Sequence, residues 1–506
     1  MSTPLSRRNF LRGLGVSASG LFTSSPSQAT TLERALEFPS SAYASWVRLE
    51  NQRAGDGTWL KGEPAAAGNL EGFATSTSAP LGATLAFCVS AATSRVRAKI
   101  YRLGYYGGLG ARLVEVRDGI ETTARPVPPP DAYGTVDCTW PASFSLTLDA
   151  RYPPGQYLVR LENPTGQFRF VPFLVRDDAS RATYVYLSAV TTWQAYNAWG
   201  GYSLYRETDV TGSSTISNAR RAVRVSFNRP YDRYFANGAG DLIGNEYPLL
   251  FMLERLGLDL AYWTDVDLHE RGPTLLRHRA LLSLGHDEYY SPAMRDAVTR
   301  ALDAGVNVAF FGANFVYRKI RFEPSSHGAT RLMVNYRSTA DPIGAVDPAA
   351  VTVNWGSSPS NEPESTFSGS VYGGAEGSGS LTVVNAGAWL WRGASLRTGA
   401  VLQGALGGEF NHVATPAPAL APVQVFGQSA VAGGTSNVTY YAPPGRGGVF
   451  ASGTGYWIYR LSNAPLLGDR WIPAPVAGVT GPLSVATRNV LALFARGPAG
   501  DVLPSR

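Results

Sequence analysis

A chain of 506 residues with 44% hydrophobic content can bury a full core and has room for two or more domains. Its formal charge of +6 does not point to nucleic acid: Arg7, Arg8 and Arg12 supply three of the positive charges within the first dozen residues. Only three lysines occur (Lys61, Lys99, Lys319), and no basic block tracks a phosphate backbone.

The N-terminus runs Ser6-Arg7-Arg8-Asn9-Phe10-Leu11-Arg12, then a weakly apolar stretch from Leu14 to Phe22, then Ser27-Gln28-Ala29. Paired arginines, a mild apolar region and a small-x-small site in that order read as a twin-arginine export signal over 1–29, cleaved after Ala29. That reading puts the mature chain in the periplasm or outside the cell. The route carries folded proteins, so a cofactor can be loaded first; a basic disordered tail is the plainer alternative. No later apolar run has the length to span a bilayer. Cys88 and Cys138 are the only cysteines, readable either as a disulfide or as two buried free thiols. Without a CxxC or a Cys/His cluster there is no case for structural zinc.

From Ser45 to Val175 the pattern has period two. Arg95 to Leu103 and Ser143 to Leu148 alternate, Gln156 to Leu161 follows the turn Tyr152-Pro153-Pro154-Gly155, and Phe168 to Val175 closes the series. This predicts an all-β immunoglobulin-like sandwich over 30–180. The glycines between Gly104 and Gly110 belong to this domain and precede a strand, so they form a turn and not a dinucleotide site.

After Ala182, apolar strands alternate with helices. Tyr184–Val190, Val223–Phe227, Leu258–Trp263, Ala280–Leu284 and Val306–Phe311 read as strands, and Pro248–Leu256 as a helix stopped by Gly257. The expected fold of 181–506 is α/β: a mostly parallel sheet covered on both sides, with glutamine-amidotransferase-like or flavodoxin-like layering. A Gly/Ser/Pro-rich excursion at 351–422 reads as long loops and short strands, Gly447 to Leu461 as a hairpin, and Ala486 to Ala495 as a closing helix.

The strand Ala280–Leu284 stops abruptly at Gly285-His286-Asp287-Glu288-Tyr289, and Ser291-Pro292 then opens a helix bearing Met294, Val298 and Leu302 on one face. In open α/β sheets ligands bind outside the carboxyl ends of strands, so this turn is the first candidate for an active site. Neighbouring side chains on an extended turn point opposite ways, so His286 and Glu288 can share a site while Asp287 points away. Other strand ends are also polar and aromatic: Thr191 to Tyr205, Ser226 to Asp232, and Gly312-Ala313-Asn314. There is no Gly-x-Ser-x-Gly elbow, and five histidines cannot easily form a His-rich metal site, so any metal has to rely on oxygen.

These segments, with Tyr101-Arg102-Leu103-Gly104-Tyr105-Tyr106-Gly107-Gly108-Leu109-Gly110-Ala111-Arg112, resemble the N,N-dimethylformamidase large (beta) subunit family over nearly the whole mature chain. The family's iron enzyme holds a mononuclear ferric ion by two tyrosinates and one glutamate. Carried over, the resemblance implies metal ligands Tyr196, Tyr231 and Glu288, with Tyr205 and Tyr234 in reserve. It implies catalytic roles for Glu409, His286 and Asn314. The implied activity is an exported, iron-dependent amidohydrolase that cleaves the C–N bond of a small formamide or related amide. The implied partners are a small second subunit and the amide substrate, with room for a homo-oligomer. Three anionic oxygens suit Fe(III), a hard ion. The plainer readings are packing tyrosines, a turn-capping Glu409, and Arg229 and Arg318 as structural partners of Asp232 or Glu288. A second function class is a non-catalytic periplasmic binding or scaffold protein whose sandwich contacts polysaccharide or a protein partner.

Overall fold

The computed structural model describes residues 32–233, 236–415, 418, 420–432, 434–461 and 474–506. The proposed signal (1–29) and Tyr234 lie outside them.

The N-terminal part is a sandwich. One sheet has strand order β1 (Leu70–Ala74), β3 (Thr84–Ala91), β6 (Phe144–Thr147). The other has order β2 (Ser78–Pro80), β8 (Phe168–Arg176), β7 (Gly155–Glu162), β4 (Arg95–Leu103), β5 (Ala111–Glu121). All pairings are antiparallel except β2 with β8. The inward set of each period-two strand meets the other sheet, as where the Phe87 and Phe173 rings lie 5.4 Å apart. Cys88 and Cys138 are free thiols buried together with Phe73, Trp140 and Trp199.

The C-terminal part is built on a nine-stranded sheet. Its parallel half runs β10 (Leu260–Thr264), β9 (Tyr184–Ser188), β11 (Ala280–Leu284), β12 (Asn307–Phe311), β17 (Val449–Ala451). Its antiparallel half continues with β16 (Gly434–Tyr441), β15 (Gln424–Val431), β13 (Ser370–Val383) and β14 (Val401–Val413). Alternate residues of the parallel strands feed two cores. Tyr184, Tyr186, Leu282 and Phe311 pack toward the helices α2 (Tyr247–Leu256) and α5 (Thr480–Phe494); Val185, Leu187, Leu281 and Phe310 pack toward α3 (Asp265–Arg271) and α4 (Pro292–Asp303). Thr264 caps α3 and Ser291 caps α4, each accepting a backbone N–H of its first turn. Gly257 ends α2 in the left-handed conformation, φ +69°.

Four expectations need correction. The sheet is mixed, not mostly parallel. Residues 351–422 contain two long strands, β13 and β14, which expose much of their surface and so carry no apolar run to betray them. The strand near Val223–Phe227, observed as Arg224–Ser226, belongs to a separate three-stranded sheet with Gly328–Val334 and Arg321–Ser325. The apolar run at Gly447–Leu461 is no hairpin: β17 pairs parallel with β12, and a short helical turn, Tyr459–Leu461, follows.

The Tyr101–Arg112 motif joins the two parts. Arg102 on β4 and Glu254 on α2 form a fully buried ion pair, Nη2 to Oε1 2.7 Å. Tyr262 and Asn51 donate to the same carboxylate, and Arg102 Nη1 donates to the Tyr106 hydroxyl at 2.9 Å. Asn51 Oδ1 accepts the N–H groups of Tyr105 and Tyr106, which pins the glycine turn onto the helix Ser45–Asn51. Among the described residues no helix is long and apolar enough to cross a membrane.

Candidate active site

The chain enters the parallel half at β9, moves to β10 on one side, then crosses back to β11 on the other. The crevice beyond the carboxyl ends of β9 and β11 is therefore the topological switch point of the sheet. The helix α1 (Val190–Tyr196) leaves β9, and the run Gly285–Glu288 leaves β11.

Three oxygens converge there. Glu288 Oε2 accepts the Tyr205 hydroxyl at 2.8 Å and faces the Tyr196 hydroxyl at 3.4 Å. The two phenol rings are stacked, 4.2 Å between centroids. Thr192 Oγ1 accepts the Glu288 backbone N–H, and Arg318 Nε donates to Oε1 at 3.0 Å, so the residue is held at its main chain and at its carboxylate. Burial first, and the Glu288 charge second, hold both phenols well above the ordinary tyrosine range, in the protonated form. Tyr205 also accepts from Tyr289, whose hydroxyl oxygen accepts from Arg337 at 2.9 Å.

A second cluster adjoins the first. His286 Nε2 lies 2.7 Å from Glu409 Oε2 and 3.5 Å from Glu288 Oε2. Asn314 Nδ2 donates to Glu409 Oε1 at 3.0 Å. Burial opposes charge on His286, but Glu409, then Glu288 and Asp241, outweigh it and carry the imidazole up to about 9. At neutral pH it is an imidazolium between carboxylates. The Glu288 side chain is 1% exposed and that of Glu409 16%, so Glu288 is sealed while Glu409 meets the cleft. The cleft, about 580 Å³, is lined also by Tyr196, Tyr205, Asp241 and Tyr456.

Backbone contacts set this spacing. Gly285 sits at φ +60°, and a Cβ added to Gly312 would meet the Gly285 carbonyl oxygen at 1.8 Å. The turns bearing His286 and Asn314 thus touch backbone to backbone. Asn314 is itself left-handed, φ +51°, and its N–H donates to Asn411 Oδ1 at 2.7 Å. Asn411 lies two positions beyond Glu409 on β14, so one strand face holds both the backbone and the side chain of Asn314.

The structure brings Tyr196, Glu288, His286, Asn314 and Glu409 together, with Tyr205 from the reserve. Tyr231 is not among them. Its ring lies 6.0 Å from that of Trp193, edge-on, and lines a different cavity, against the sandwich. Arg229 makes no ion pair with Asp232; it donates to Gln194 and to the carbonyls of Asn197, Trp199 and Tyr202. Arg318, by contrast, is the structural partner of Glu288. Asp287 turns away to Ser283 and Tyr290, and burial, opposed in part by the hydrogen bonds from these two, raises it to about 6. Sequence reasoning gave no role to Asn411, Thr192 or Arg337. The period-two pair Glu409–Asn411 was the one available signal; Arg337 lies on a loop with no pattern.

Residues 97–468 match the family described as N,N-dimethylformamidase beta subunit-like, C-terminal. The chain belongs to the N,N-dimethylformamidase beta-subunit-like family. The match runs from within β4 of the sandwich to beyond the last strand of the large sheet, and so contains every site residue named above. No curated protein matches the chain.

Proposed function

We propose that this N,N-dimethylformamidase-like chain is a hydrolase that cleaves the C–N bond of a small amide at the β9/β11 switch point. The observation that carries the reading is the placement of two phenols on one sealed carboxylate oxygen, directly beside a Glu409–His286–Asn314 cluster open to a cleft.

Tyr196, Tyr205 and Glu288 fit a trivalent hard cation: three oxygen donors, each able to carry one negative charge, already converge without a histidine or sulfur among them. We assign these three, with Tyr205 replacing Tyr231, as the residues that hold Fe(III). Bound there, the ion supplies Lewis acidity toward an amide carbonyl and a water. Glu409 takes the proton from water and returns it to the departing amine nitrogen. The His286 imidazolium and the Asn314 amide, whose N–H groups here face Glu409, are released to the oxygen on which negative charge develops as Glu409 takes up the proton. The family's description as a beta subunit supports a companion subunit. The residues Ser6 to Ala29 support delivery to the periplasm or exterior by the twin-arginine route.

Metal analysis of the purified protein tests the reading. Iron and a visible tyrosinate-to-iron band are expected, and both are expected to vanish in Glu288→Ala. Protein without iron or band, yielding no amine from formamides, sinks it; iron retained in Glu288→Ala overturns the ligand set.

A further inference from the structure

Buried guanidinium groups in this fold are generally paired with carboxylates. Arg102 has Glu254 at 2.7 Å, Arg112 has Glu50 at 2.6 Å, Arg176 has Asp267 at 2.5 Å, and Arg295 has Glu362 at 3.4 Å. Arg169, Arg229 and Arg331 break this pattern. They are 1%, 1% and 5% exposed, and none makes an ion pair among the described residues. None of the three has a carboxylate in contact among the described residues, so each charge is balanced only at a distance, and an anion placed against them is stabilised.

All three sit at the seam between the sandwich and the α/β part. Arg229 gives every donor to neutral oxygens, on Gln194, Asn197, Trp199 and Tyr202. Arg331 donates Nε to Asn228 Oδ1 at 2.7 Å and Nη2 to the carbonyls of Ala74 and Phe227; its Nη1 has no partner among the described residues. Arg169 donates Nη2 to the Tyr231 carbonyl at 2.8 Å, and its buried Nη1 is likewise unmatched. The nearby acids act on the three arginines through space without touching them: Glu71 and Asp232 on Arg169, Asp232 and Asp137 on Arg229, and Asp137 on Arg331. The Asp137 carboxylate accepts from Ser226 and Ser325, and that of Asp232 from the Ala198 N–H. Burial lowers Arg229 and Arg331 to about 10 each, and lowers Arg169 as well.

A cavity opens at this point, with Arg229, Arg331, Tyr231, Trp193, Phe73 and Val171 in its wall. Its volume, about 30 Å³, accommodates an occupant little larger than a water molecule and excludes phosphate or a sugar. We propose that this seam cavity binds one small monoanion, of halide or formate size, hydrogen-bonded by Arg331 Nη1 in the field of Arg229 and Arg169. The ion ties the sandwich to the α/β part, because Arg331 and Arg229 come from the latter while Phe73 and Val171 come from β1 and β8.

Two measurements on the full chain test this. Crystals grown in sodium bromide should show an anomalous peak beside Arg331 Nη1. At constant ionic strength, replacing gluconate by chloride, bromide or formate should raise the thermal midpoint in proportion to the logarithm of anion concentration, and sulfate should not. Arg331→Gln should lose that increment. The anion acting at the lowest concentration separates a halide from formate. No bromide peak, together with a midpoint that follows ionic strength alone, overturns the proposal; the bromide result needs no variant and is independent of iron or amide turnover.

Discussion

His286 and Glu409 meet at 2.7 Å although one follows a central parallel strand and the other lies on the terminal antiparallel strand of the same sheet. The nine-stranded sheet therefore has to be complete before the pair exists. On the proposed mechanism, Glu409→Gln removes the proton acceptor while keeping its shape. Amide turnover should fall about 100- to 10,000-fold, with iron content and circular dichroism unchanged. Turnover within threefold of the parent would assign the acid/base role elsewhere.

Tyr196 and Tyr205 share one oxygen of Glu288, whereas Tyr231 packs on Trp193. Tyr196→Phe and Tyr205→Phe should each lose or strongly shift the visible absorption of the iron form, while Tyr231→Phe should keep it. A band lost in Tyr231→Phe and retained in Tyr205→Phe would restore the ligand set expected from sequence.

Arg102 and Glu254 are both completely buried. Arg102→Met leaves a lone buried carboxylate and should destabilise the protein by about 3–5 kcal/mol, read as a lower denaturation midpoint. The double variant Arg102→Met/Glu254→Leu should recover much of that loss. If the single change is silent, the pair does not hold the two parts together.

Glu246 lies at the carboxyl end of β9, where it accepts from Ser188 at 2.7 Å, Tyr186, the Ala189 N–H and Trp193. Burial, opposed in part by these donors, raises it to about 8. The folded chain then keeps a proton that the unfolded chain releases near its ordinary value of 4.5. Stability from this group is accordingly present below 4.5 and declines as pH rises to about 8. Glu246→Gln should flatten that part of a plot of thermal midpoint against pH. An unchanged slope would show that another group is responsible.

Where residues alternate or run apolar over a core, the sequence was readable. The sandwich strands β4, β7 and β8, the parallel strands β9 to β12 and the site turn at Gly285–Glu288 all announce themselves in this way. β13 and β14 do not, because they are Gly-rich and half solvated. Tyr231, in Arg229-Pro230-Tyr231, entered the expected ligand set through the family resemblance, but the strand before it belongs to the separate three-stranded sheet and leads toward the sandwich. Tyr205 reaches Glu288 through a loop that doubles back beside α1, a path that periodicity cannot show.

Gly285 and Gly312 touch through their main chains, with no side chain between them. The gap between His286 and Asn314, 3.4 Å from ring nitrogen to amide, is thus set by peptide geometry, which every sequence shares, and not by the volume of any core residue. The core beneath can exchange one aliphatic group for another and alter how firmly the protein is folded, while the chemistry keeps its dimensions. At Gly312 no such latitude exists: one added methyl group would wedge the turns apart and misalign reactive groups that it never touches.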